Sequence, residues 1–143
     1  MGLDQWAYSK RPVKQAEFPF MKKSFEDEQI EITCWRKHNR LQGWMERLWE
    51  SKERPGFDPE TMGGSLGDFN CVDVQIDIED LNRLERDIKD KNLPETGGFF
   101  FGDDSYAEYE NPEWGYKKED LEFIKVARER LANGHQVYYT SWW

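Results

Sequence analysis

The chain has 143 residues, of which 34% are charged and 15% aromatic, and its formal net charge is -9. That length fits one domain able to bury a core with no disulfide or metal staple, and the dense aromatic content excludes a disordered chain. The charge is lopsided: residues 1–60 hold 11 Lys/Arg and 11 Asp/Glu, whereas residues 61–143 hold 9 against 18. An acidic balance disfavours direct nucleic-acid binding, because phosphate backbones are repelled, and reads either as a plainly solubilising surface or as one that competes with nucleic acid for a basic protein partner.

Residues 2–9 alternate loosely and are expected to form a first strand, followed by a charged loop from Lys10 to Glu28 with Pro12 and Pro19. Gln29 to Cys34 reads as a short strand with Ile30 and Ile32 on one side. Leu41, Trp44, Met45, Leu48 and Trp49 then follow helical spacing, and the helix should stop before Pro55-Gly56. Gly43 inside it suggests a close backbone contact. Residues 55–68 are glycine- and proline-rich and read as a surface loop.

Phe69 to Ile76 alternates most clearly, with Val72, Val74 and Ile76 facing one way. Asp77 is placed to cap a helix, with Asp80 three residues on and Ile76 and Leu81 as a hydrophobic staple. Leu81, Leu84 and Ile88 form its stripe; Asn92 is the expected left-handed stop and Pro94 forbids continuation. The apolar run Gly97 to Gly102 reads as a buried strand, and residues 103–116 as an acidic loop carrying tyrosines. Lys117 to Asn133 is expected to be helical, with Leu121, Ile124, Ala127 and Leu131 inward and Gly134 closing it. His135 to Trp143 reads as a terminal strand. This order predicts a single α+β domain over 1–143, a mostly antiparallel sheet of about four to five strands with three helices packed on one face. A doubly wound parallel sheet is the alternative, and the one-sided pattern of 69–76 argues against it.

Chemistry-bearing residues are sparse. Cys34, His38, Cys71 and His135 are all the cysteines and histidines, and Cys34 and His38 would share a helical face at i, i+4. No tight cysteine pair accompanies them, so no metal is expected and buried reduced cysteines are the simpler reading. A thiol beside a histidine base would permit nucleophilic catalysis, but no spacing selects it. Gly63-Gly64-Ser65-Leu66-Gly67 lacks the flanking strand, helix and Lys-Ser/Thr of a phosphate loop. The pairs Asp103/Asp104, Glu108/Glu110 and Glu119/Asp120 read as solvated charge rather than an acid–base dyad. Trp35-Arg36-Lys37-His38-Asn39-Arg40 is the one basic cluster, read as a helix start with anion-binding capacity.

The segments Met1-Gly2-Leu3-Asp4-Gln5, Trp35-Arg36-Lys37-His38, Leu41-Gln42-Gly43-Trp44-Met45, Phe69-Asn70-Cys71-Val72, Leu93 to Gly102 and Ser141-Trp142-Trp143 together resemble a widespread family of small phage-encoded and phage-derived proteins of uncharacterised function. Some members carry the label phosphoglycerate kinase; this chain is too short for that two-domain enzyme and has no nucleotide-binding signature. The resemblance supplies no catalytic residues and implies the cytoplasm of an infected bacterium. The opening residues show no secretory leader, position six is Trp6 where myristoylation wants Ser or Thr, and no run approaches a membrane span.

The expected function is therefore that of a phage accessory protein, leaning non-enzymatic, that binds a host or phage protein, as an acidic inhibitor of a host factor for instance. A second copy of the chain is a further candidate partner, and no cofactor is implied. The partner-binding candidates are Asp103, Asp104, Tyr106, Tyr109 and Trp114, whose rings and carboxylates suit protein recognition. The alternative is a small enzyme or ligand-binding domain with a pocket near Trp35, Arg36, His38, Asn70 and Cys71.

Overall fold

The computed structural model describes residues 3–11, 28–55, 69, 71–94, 109–113 and 115–142. In chain order the elements are β1 (Asp4–Arg11), β2 (Glu28–Arg36), α1 (Asn39–Ser51), β3 (Asp73–Ile76), α2 (Ile78–Lys89), α3 (Lys117–Ala132) and β4 (Gln136–Trp142). The strands form one sheet in the order β2-β1-β4-β3, every neighbouring pair antiparallel, which makes the fold α+β. The expected strand at 97–102, the loop at 55–68 beyond Pro55 and residues 103–108 and 114 of the acidic loop lie outside the described residues.

Alternation along the strands sorts side chains into two sets. Ala7, Trp35, Val74, Ile76, Val137 and Tyr139 enter one core. All three helices contribute to it, with Leu41, Trp44, Met45, Leu48 and Trp49 from α1, Leu81, Leu84 and Ile88 from α2, and Phe123, Ile124 and Ala127 from α3. Leu121 and Leu131 are partly buried against it. The opposite set of β1 and β4 is Trp6, Tyr8, Tyr138, Thr140 and Trp142. In β2 the register skips Ile32, since Ala7 pairs with Thr33 and Tyr8 with Glu31. This bulge puts Glu31 opposite Tyr8 while Trp35 stays in the core.

The second helix starts as its sequence dictates. Asp77 Oδ1 accepts from the Asp80 amide at 2.8 Å, and Asp80 Oδ2 accepts from the Asp77 amide at 3.0 Å. Ile76 and Leu81 on either side are fully buried. Asp80 also takes the Lys52 ammonium at 2.6 Å and the Arg83 guanidinium. Burial opposes ionisation of Asp80, but these donors outweigh it and hold the carboxyl below the usual range.

Four boundaries differ from the expectation, each for a backbone reason. The strand predicted over 69–76 begins only at Asp73, because Cys71 takes a left-handed φ of 60°. Lys91, with φ 52°, makes the left-handed turn after α2 in place of Asn92, whose amide instead reaches back to Asp87 O at 2.8 Å. β1 runs on through Arg11, into residues read as loop, because Lys10 and Arg11 keep pairing with β2. Trp35 and Arg36 close β2 rather than open α1, since their strand pairing with Gln5 and Asp4 persists and Lys37, φ 58°, then breaks the strand. Replacing the capping Asp77 with Ala should cost about 1 kcal/mol of stability, read as a lower urea midpoint with an unchanged m value.

Candidate functional site

Among the described residues, one sealed cluster and one open hollow bring polar and aromatic side chains together. The sealed one begins at the β2–α1 junction. Lys37 N donates to Leu3 O at 2.8 Å, which turns the chain, and His38 follows as the N-terminal flank of α1. The Gln5 side chain satisfies both backbone groups of His38: its Oε1 accepts from His38 N at 2.8 Å and its Nε2 donates to His38 O at 3.0 Å. Gln5 Nε2 also donates to the Tyr139 hydroxyl at 2.7 Å, and Tyr139 donates onward to Gln42 Oε1 at 2.6 Å.

The His38 imidazole points at α3, where Nε2 lies 2.8 Å from Asp120 Oδ2. Trp35 Nε1 donates to Asp120 Oδ1 at 3.0 Å and the Tyr109 hydroxyl to Oδ2 at 2.5 Å. Tyr116 stacks on the imidazole at 4.3 Å, its ring 6° from parallel. Gln5, Trp35, His38, Tyr109, Asp120 and Tyr139 are all buried. A His–Asp pair of this geometry is a familiar catalytic unit, but a catalytic base must reach a substrate. Here both partners are closed off and every acceptor position used is filled by the protein's own donors, so the cluster is a structural one.

Two sequence expectations are overturned at this point. Asp120, grouped with Glu119 as solvated charge, is 1% exposed. Tyr109, offered as a partner contact, is 4% exposed and spends its hydroxyl on Asp120. The other partner candidates, Asp103, Asp104, Tyr106 and Trp114, lie outside the described residues, as does Asn70. The pocket candidates do not converge. Trp35 and His38 enter the sealed network, Arg36 is exposed and lies 3.8 Å from Asp4, and Cys71 lines a separate groove. Cys34 and Cys71 are exposed, not buried, and Cys34 sits in β2 opposite Trp6, so it shares no helical face with His38. Among the described residues no three His, Cys, Asp or Glu side chains group as metal ligands.

The open place is the outer set of strand side chains. Trp6, Tyr8, Gln29, Cys71, Asp73, Thr140, Ser141 and Trp142 line a solvent-open hollow of about 320 Å3. Thr140 makes the depression: it is the direct cross-strand partner of both Trp6 and Asp73, it is short, and its hydroxyl is spent on Val72 O at 2.9 Å. Trp142 is 58% exposed. Tyr8 and Tyr138 stack at 5.5 Å beside the hollow, and the Lys10 ammonium rides over both rings, 5.0 Å from the Tyr138 centroid and 5.9 Å from that of Tyr8.

The tryptophans divide in the same way. Trp35, Trp44 and Trp49 donate their indole N–H groups to Asp120, Asp87 and Pro55 O. Among the described residues the indoles of Trp6 and Trp142 have no such partner. Sequence reasoning passed over both. The period-2 pattern of 4–10 and 136–142 was visible, but aromatic side chains occupy both phases of β4, so pattern alone could not say which phase stays outside. No protein-family model, no curated protein and no solved structure matches the chain.

Asp120→Ala should cost about 3–5 kcal/mol, because three buried donors lose their acceptor together. Chemical denaturation measures it, and a loss under 1 kcal/mol would contradict the network's role. At high pH, burial and the Asp73 carboxylate raise the Tyr8 pKa, burial and the Glu119 and Asp120 charges raise that of Tyr116, and burial raises that of Tyr139. The folded chain therefore keeps protons that the unfolded chain releases near pH 10, so stability is full below about pH 10 and falls above it. Phenolate absorbance should show Tyr8 and Tyr139, two of the 6 tyrosines, titrating only as the protein unfolds, and Tyr116 titrating above the ordinary tyrosine range.

Proposed function

We propose that this protein acts by binding another protein through the outer face of its sheet, as a non-enzymatic accessory factor. The observation that carries this reading is the pair Trp6, half-buried, and Trp142, exposed, which line a shaped hollow and whose N–H groups have no hydrogen-bond partner among the described residues. Tryptophan in such a setting supplies rigid contact area with one donor to fix register, which is why it dominates protein interfaces. The partner is basic, because the net charge of -9 steers cationic surfaces toward the molecule. The reading takes the partner to be a host or phage protein in the bacterial cytoplasm, in keeping with the resemblance to small phage-encoded proteins. Among the described residues no helix is long and apolar enough to cross a membrane, so a bilayer-spanning role has no support from them.

The acidic loop contributes less to this reading than the charge count suggests. Glu110 lies 3.2 Å from the Lys117 ammonium, and on the helices Glu85 receives Arg128 at 2.8 Å. These carboxylates, with Asp4 and Asp80, are matched within the fold. Aromatic sheet faces also stack unpaired bases in some folds, but the acidic balance works against a phosphate backbone here.

Photo-crosslinking decides the matter. A photoreactive residue at position 142 should give one discrete covalent product in bacterial lysate, and one at the exposed Glu79 on α2 should not. The product should vanish in Trp6→Ala, with the melting temperature within about 2 °C of the parent. A product lost on nuclease treatment, or equal crosslinking from both positions, would overturn the reading.

A further inference from the structure

We infer that the hollow above Thr140 is a receptor for a single cationic side chain, a lysine or arginine presented by the partner. This rests on the reading of the outer sheet face as an interface and names what that face selects. The argument begins with Asp73. Its Oδ2 accepts from the Tyr8 hydroxyl at 2.6 Å, and among the described residues the carboxylate has no cationic partner. That sets it apart from Asp4, Asp80, Glu85 and Glu110, each of which lies within 4 Å of an Arg or Lys. An unmatched carboxylate at the lip of an aromatic hollow attracts positive charge.

The walls suit the same guest. Trp6, Tyr8 and Trp142 present ring surface around a hollow of about 320 Å3. Such rings favour cations over their faces, tryptophan most strongly and arginine most often. The face already holds one cation in this way, since Lys10 sits over the Tyr8–Tyr138 stack. The floor is chemically quiet because the Thr140 hydroxyl is committed to Val72 O. A guest ammonium or guanidinium therefore finds the Asp73 carboxylate and the rings together, over a Thr140 hydroxyl whose proton is already given to Val72 O, while Gln29 and Ser141 offer it further oxygen acceptors. An anionic or phosphate guest meets the reverse: Asp73 repels it, and the Lys10 ammonium is turned over its own tyrosines.

The acetylated methylamides of arginine and lysine serve as probes, with that of norleucine as the neutral control of similar length. Proton–nitrogen spectra of the intact protein should show the Trp6 and Trp142 indole signals shifting with arginine and lysine, and at least about tenfold more weakly with norleucine. Asp73→Asn should weaken arginine binding about tenfold while the fold persists, since this exposed side chain loses only its charge. Thr140→Trp should fill the hollow and abolish the shifts; Gln75→Ala, on the same strand but outside the hollow, should leave them unchanged. Equal shifts from norleucine, or arginine binding indifferent to Asp73→Asn, would overturn the assignment. If these small cations fail while crosslinking from position 142 still captures a protein, the interface stands and the cation receptor falls.

Discussion

A carboxylate taken out of water is tolerated only where donors surround it, and Asp120 is where this fold meets that condition. Its two oxygens accept from the end of β2, from the residue that opens α1 and from Tyr109, just ahead of its own helix. The cost of burying the charge is several kcal/mol before any donor is counted. What the arrangement gains is definition: strand end, helix start and α3 can be reconciled with one anion in only one relative placement. Gln5 completes the junction by standing in for a strand partner, meeting the amide and carbonyl of His38 with one side chain. The hydrophobic stripes bring the layers together, and the polar cluster fixes how they sit.

That division explains what could be read from the amino-acid order. The α2 segment was legible at its start because every instruction for it is local: Asp77 and Asp80 cap it, and Leu81, Leu84 and Ile88 bury it. The stripe of α1 was legible for the same reason. The β2–α1 junction was not. Lys37 adopts a left-handed conformation with no glycine to announce it, so a strand end was read as a helix start. Asp120 was hidden more deeply, since two of its donors, Trp35 and His38, come from 85 and 82 residues away. A charge beside another charge at a helix N-terminus looks solvated until its distant partners are known.

The outer face poses the complementary case. The side chains of β1 and β4 that do not enter the core remain to be explained, and that set is rich in rings. Stacking of Tyr8 on Tyr138 and the donation from Tyr8 to Asp73 consume part of its chemistry internally. Trp6 and Trp142 are left over. A half-buried indole and an exposed one, neither hydrogen-bonded through its N–H among the described residues, flank the recess left by the short Thr140.

The sheet order has a kinetic corollary. β1, made first, pairs on one side with β4, with Asp4 opposite Trp142 and Lys10 opposite Gln136. During synthesis β1 must wait for this partner until β4 has cleared the ribosomal tunnel, and at ordinary elongation rates that interval is on the order of ten seconds. An aromatic strand idling beside an exposed edge is a target for chaperones and for sister chains alike.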